Sequence, residues 1–295
     1  MLKEKPTTDE IARIDGMRCN PYNDFVIRYA DNLGGLIVRA AAADGGSEIW
    51  RGQMQNSSTE TQLRRDLAAC YRLFDWLGWT ELIFNHITVR LPDSKEGQTH
   101  YLINPFGLHY AEVTPENLVR VDVQGDVQDE VKQRVNRAGF VIHSAIHASR
   151  DDAHCIMHMH TTAGSAVSCK EEGLRSDNFY SAMLFGDVAY HDYEGVTTKV
   201  DEQPRLVSSL SQHNHMILRN HGLLAVGPDV PTTFNRLWTL QRACEIQLAS
   251  DAGTGPNRQI AREVLVDVPK SRVAGSSEIH RLVFEAMLRR ADILL

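Results

Sequence analysis

The hydrophobic and polar positions along this 295-residue chain alternate between two periods. "SSTETQLRRDLAACYRLFDWLGW" has a helical period. Leu63, Leu67, Cys70, Phe74 and Leu77 form one stripe, Ser58 or Thr59 caps it, Glu60 lies in the first turn and Gly78 stops it. "LIFNHITVRLP" and "THYLINPFG" read as strands, and "LVRVDVQGDVQ" alternates with period two and turns at Gly125. "TPENL" between them reads as a helix start, with Thr114 as cap and Pro115 in the first turn. "AGFVIHSAIHASR" predicts a helix with Phe140, His143, Ile146 and His147 on one face, and "AHCIMHMHTT" a buried strand. "GDVAYHDY" reads as a short strand, "EQPRLVSSLSQH" as a short helix and "HMILRNHGLLAVG" as strand, tight turn, strand. A long amphipathic helix follows from Pro231 to Gly253, and a last one in "SSEIHRLVFEAMLRRADILL". Helices mixed with β-meanders predict an α/β protein with a largely antiparallel sheet. Residues 1–56 are turn-rich and read as an N-terminal extension. Residues 57–257 hold the main domain, and 258–295 a C-terminal helical tail.

Composition narrows the function. The formal net charge of −7 lacks the basic footprint of a nucleic-acid binder. No apolar run is long enough for a membrane span, and "MLKEKPTTDE" has no signal core, so a cytoplasmic location is the default expectation. The five cysteines are scattered without any CxxC and read as reduced thiols. The chain carries 13 histidines. In a strand, His158 and His160 project from one face and Met157 and Met159 from the other. Two imidazoles at that spacing can share one divalent ion, and a catalytic site usually takes three protein ligands. His221, at a strand-to-turn junction before Gly222, is the candidate third. The plain alternative is a set of core histidines satisfied by hydrogen bonds. His143 and His147 have the spacing of an HExxH pair, but Ser144 stands where that motif has glutamate, so no metalloprotease base is present. His147 reads as structural. His100, His109, His154, His191, His213, His215 and His280 read as solvated.

"AGFVIHSAIHASRDDAHCIMHMHT" followed by "RNHGLLAVG", with "NHITVRLP" and "YLINPFGLHYAEVTPENLVRVDVQG" upstream in order, resembles the class II aldolase/adducin family over about residues 60–255. The resemblance implies a three-layer α/β/α fold around a mainly antiparallel sheet and a homotetramer with sites between subunits. It also implies a divalent metal, zinc first and manganese or iron as alternatives, on His158, His160 and His221. Sugar-phosphate aldolases of the family use a glutamate as acid/base, and that position reads Gly139 here. Their phosphate-loop pairs read Asn85-His86, Phe106-Gly107 and Arg137-Ala138. Phe106 and His86 would crowd a phosphate, which needs small residues and open backbone N–H groups. The expected function is therefore a metal-dependent lyase on a non-phosphorylated hydroxy or keto acid, by decarboxylation or aldol-type cleavage. His143 or His86 is expected as the proton-transfer or carboxylate-binding group, and Asn85, Asn104 and Gly107 as pocket wall. Glu171, Glu194 and Glu202 are carboxylates downstream of the metal motif that could replace the missing acid/base, and no spacing rule selects one of them. The alternatives are an adducin-like interaction module without catalysis, or an iron-dependent oxygenase on the same fold.

Overall fold

The computed structural model describes residues 59–92, 99–129, 133–196, 199–272 and 276–294; the expected N-terminal extension lies outside them. Seven strands form one sheet: β1 (His86–Arg90), β2 (His100–Ile103), β3 (Val119–Asp122), β4 (Cys155–Met159), β5 (Val188–His191), β6 (His215–Leu218) and β7 (Gly222–Gly227). Their order is β3-β2-β1-β4-β7-β6-β5. Every pairing is antiparallel except β5 with β6, as the alternating patterns anticipate.

Helices cover both faces, and period two decides what each face receives. On β4, Cys155, Met157 and Met159 join Ile87 and Val89 of β1 in the larger core. That core is closed by α1 (Thr59–Leu77), α6 (Val230–Asp251) and α8 (Ser276–Arg290). Phe234 of α6 meets Phe284 of α8 edge to face at 5.7 Å, so the C-terminal segment belongs to this layer. On the opposite face, Ile156, Leu224 and Val226 pack with Ile142 and Ile146 of α2 (Arg137–Ser149) and Leu206 and Leu210 of α5 (Gln203–Leu210). The remaining short helices are α3 (Thr162–Ser168), α4 (Phe179–Met183) and α7 (Arg262–Asp267), none of which periodicity reveals.

"TPENL" does not start a helix. Thr114 and Asn117 cap one another, N–H to side-chain oxygen in both directions at 3.3 and 2.9 Å, and this closes a single turn before β3. His100, His191 and His215, expected in solvent, are buried strand residues. Their rings are held by Arg120, by Ser209 and Glu202, and by Asp187 respectively.

One buried phenol ties α1 to the strand that carries the site. Tyr71 Oη lies 2.6 Å from the Ile87 carbonyl and 2.8 Å from Asn104 Oδ1, and it accepts the Ile87 N–H at 2.8 Å. Burial pushes its ionisation far above the ordinary range, so it acts only as a neutral hydroxyl. Tyr71→Phe strands a buried backbone N–H at the start of β1. A loss of about 1–3 kcal/mol in unfolding free energy is expected, measured by urea denaturation.

Candidate metal centre and its cavity

The same alternation that buries Met157 and Met159 under α1 and α6 turns His158 toward α2. β4 ends at Met159, and His160 lies just beyond it. Asn85 fixes His160 there, its Oδ1 accepting the His160 N–H at 3.0 Å. His221 stands in the β6–β7 turn, after Asn220 in the left-handed region (φ 55°). A Cβ at Gly222 would lie 2.4 Å from the Met159 carbonyl oxygen, so only glycine lets this turn approach the end of β4. Ser165 Oγ of α3 lies 3.1 Å from both the His160 and His221 carbonyls, and Ser168 Oγ accepts the His221 N–H at 3.1 Å.

These constraints bring three imidazoles to one point. His158 Nε2 is 2.7 Å from His160 Nε2, which is 2.9 Å from His221 Nε2. Among the described residues, this is the one cluster of three or more such groups able to hold a metal ion. His158 Nδ1 donates to the Leu223 carbonyl at 2.9 Å, which leaves its Nε2 unprotonated and available. Burial, reinforced by the neighbouring imidazoles, holds His158 well below its ordinary value. Burial also lowers His160, and burial with His160 and His191 beside it lowers His221 to about 4. Nitrogen lone pairs crowded this way repel one another unless a cation lies between them. Three neutral imidazoles at this spacing fit the donor set that a divalent ion takes.

A cavity of about 580 Å³ opens on this cluster. Its walls include His160, His221, His86, Phe84, Phe106, Arg137 and Tyr193. Phe84 and Phe106 face each other at 6.3 Å between ring centres. His86 sits directly across the sheet from His158, with ring centres 4.8 Å apart.

Other expected site residues sit elsewhere. His143 is fully buried behind His86, with both ring nitrogens engaged. Asn85 and Asn104 lie outside the cavity wall because their amides are used inside the fold. Asn85 Nδ2 donates to the Trp79 carbonyl and Glu81, and Asn104 Oδ1 meets Tyr71. Gly107 serves a turn at φ 114° and is not among the lining residues. Glu202 pairs with His191, Glu194 with Arg205, and Glu171 lies at the surface; none lines the cavity. Sequence reasoning missed Phe84, Tyr193 and the cap residue Asn136 as wall residues; nothing in their local pattern sets them apart.

Gly139 is tied to His86. A Cβ there would lie 2.9 Å from His86 Cγ, and the His86 ring cannot swing away while it bonds His143. Glycine to alanine in a helix normally gains roughly 0.5–1 kcal/mol. Here overpacking of about 1–3 kcal/mol outweighs that gain. Gly139→Ala is expected to destabilise the protein in urea, and the double variant with His86→Ala to recover most of the loss. Equal losses with and without His86 would show that the clash is not the cause.

The comparisons with known proteins agree with this architecture. The family model for the class II aldolase and adducin N-terminal domain matches residues 65–248. A Pseudomonas aeruginosa protein whose name places it with class 2 aldolases is 40% identical over 247 residues, 81% of this chain and 93% of its own. Mouse alpha-adducin is 42% identical over 250 residues, 80% of this chain but 34% of the adducin. The crystal structure of an aldolase II superfamily protein from Pseudomonas syringae superimposes with a TM-score of 0.73 at 39% identity, covering 82% of this chain and 98% of that one. The L-fuculose 1-phosphate aldolase of Glaciozyma antarctica gives 0.67 at 30% identity, covering 80% and 95%. The chain belongs to the class II aldolase and adducin family. No helix among the described residues is long and apolar enough to cross a membrane.

Proposed function

We propose that this protein is a metal-dependent lyase that cleaves a carbon–carbon bond in a non-phosphorylated hydroxy or keto acid. The observation that carries the reading is the convergence of the three Nε2 atoms of His158, His160 and His221, with the His158 tautomer fixed for ligation by the Leu223 carbonyl. Those three residues would hold the ion, zinc in first place. When bound, it supplies Lewis acidity toward an oxygen beside the breaking bond.

The chain's own groups complete the site. Arg137 offers the cavity a cation for the substrate carboxylate. Among the described residues, His86 and Tyr193 are the titratable wall groups left once the ligands and Arg137 are assigned, and we assign to one of them the proton handled by glutamate in sugar-phosphate aldolases. His86 closes off the position of that glutamate by packing against Gly139. Phe84 and Phe106 make one side of the wall apolar, which disfavours a phosphate dianion. By the same resemblance we expect a homotetramer, checked by light scattering.

The test is a panel of hydroxy acids and keto acids given to the zinc-, manganese- and iron-loaded protein. Release of CO2 or aldehyde, or uptake of O2, would be read, with sugar phosphates as the control expected to fail. Cleavage of a sugar phosphate alone would overturn the substrate class. Metal binding without turnover of any panel member would favour the second reading, an interaction module, for which the 42% identity to alpha-adducin speaks.

A further inference from the structure

Behind the histidine cluster a column of side chains runs from the cavity wall into the protein. His86 Nδ1 is 3.0 Å from His143 Nε2, and His143 Nδ1 is 2.8 Å from Thr88 Oγ1. The same hydroxyl is 2.8 Å from His147 Nε2, and His147 Nδ1 is 3.0 Å from the Ala153 carbonyl oxygen. Two periodicities build it. Residues i and i+2 of β1 place His86 and Thr88 on the α2 side, and i and i+4 of α2 place His143 and His147 opposite them. All four side chains are buried.

The column admits a single order of protons when its rings are neutral. A carbonyl only accepts, so His147 carries its proton on Nδ1 and offers a lone pair at Nε2. Thr88 has one hydroxyl hydrogen, and it goes to His147. Thr88 then accepts from His143 Nδ1–H, which leaves His143 Nε2 as an acceptor. His86 must therefore donate from Nδ1, and its Nε2 is left with a lone pair. Burial holds the rings neutral. Desolvation penalises the charged form of rings this deeply buried, and burial with Arg90 nearby lowers His147 to about 3.

We propose that Thr88, His143 and His147 are positioning residues that fix His86 as the Nδ1–H tautomer, so that this wall residue presents a hydrogen-bond acceptor to the cavity ligand. The ligand group that meets His86 then brings its own hydrogen. In the lyase reading, on which this consequence rests, the substrate offers His86 a hydroxyl, not a bare carboxylate or keto oxygen. Its carboxylate falls to Arg137 on the same wall. No change of charge at His86 is required.

The test is the tautomeric state of His86 in the full-length protein, read from two-bond 15N–1H correlations of the histidine rings with and without Zn2+. The His86 signal is identified by its loss in His86→Gln. Wild type and Thr88→Ser are expected to show Nδ1 protonated and Nε2 unprotonated. Thr88→Val, which keeps the shape and removes the hydroxyl, is expected to show a substantial Nε2–H population while still binding Zn2+. Protonation of Nε2 in the wild type would overturn the proposal, and so would an unchanged pattern in a folded Thr88→Val. Should that variant not fold, the wild-type spectrum decides alone. Because the tautomer is read on the protein without metal as well, a failure of Zn2+ to bind would sink the lyase reading and leave this question answered.

Discussion

His221→Ala is expected to lose at least about 100-fold in affinity for a divalent ion, with turnover of any substrate falling in parallel. The magnitude is a lower bound. Removing groups that merely orient a ligand costs 10–100-fold, and this change removes a ligand itself. His221 is the cleanest of the three to replace, because it is half-buried in a turn whose path is fixed by backbone and serine contacts. His158→Ala should lose metal equally but also stability, since its ring fills fully buried space beside His86. Thr88→Val is the matched control for metal affinity alone, since its hydroxyl touches none of the three. Isothermal titration with Zn2+ and a folded circular dichroism spectrum distinguish these outcomes. Metal affinity in His221→Ala equal to wild type would remove His221 from the ligand set.

The second large effect concerns acid. His86, His143, His147 and His158 are buried and held neutral, foremost by loss of hydration. Unfolded, each would protonate near 6.5. Below that pH the unfolded chain binds more protons than the folded one, so stability falls as pH falls. The window opens at about 6.5 and closes at about 4 for His221 and about 3 for His147. Each such group costs up to about 1.4 kcal/mol per pH unit. Between pH 6.5 and 5 each such ring removes on the order of 1–2 kcal/mol, and several together are a large part of a typical domain's stability. The urea midpoint of the metal-free protein is expected to drop steeply across this range, above the pH at which ordinary carboxylates titrate. A midpoint that stays level from pH 7.5 to 5 would mean that these rings are protonated in the fold or exposed.

Much of the sheet is legible because period two and period 3.6 are written plainly in strands such as "HMILRNHGLLAVG" and helices such as α6. The pair His158, on β4, and His160, just past its end, is legible for the same reason, and His221 stands out by its place between two apolar runs. The cavity wall is harder to read. Phe84, Tyr193 and Arg137 come from loops and a helix start, whose course depends on contacts such as Asn85 with Trp79 and His160 that no local period encodes. Asn85 and Asn104 look like pocket residues because the family resemblance maps them onto pocket-wall segments. Where a strand-end amide points is decided by the distant Tyr71 and the Trp79 loop. Thr88 is invisible for the opposite reason: in "HITVR" it is one more polar residue of an alternating strand. Its role exists only because α2 brings His143 and His147 above it.

We propose that three histidines from two separate segments form one metal centre. Its most direct test is elemental analysis of the purified wild-type protein after incubation with Zn2+, Mn2+ or Fe2+ and removal of the excess. The account predicts about one tightly bound divalent ion per chain, lost in the His158→Ala, His160→Ala and His221→Ala variants. A wild type that stays metal-free with all three ions supplied would contradict it.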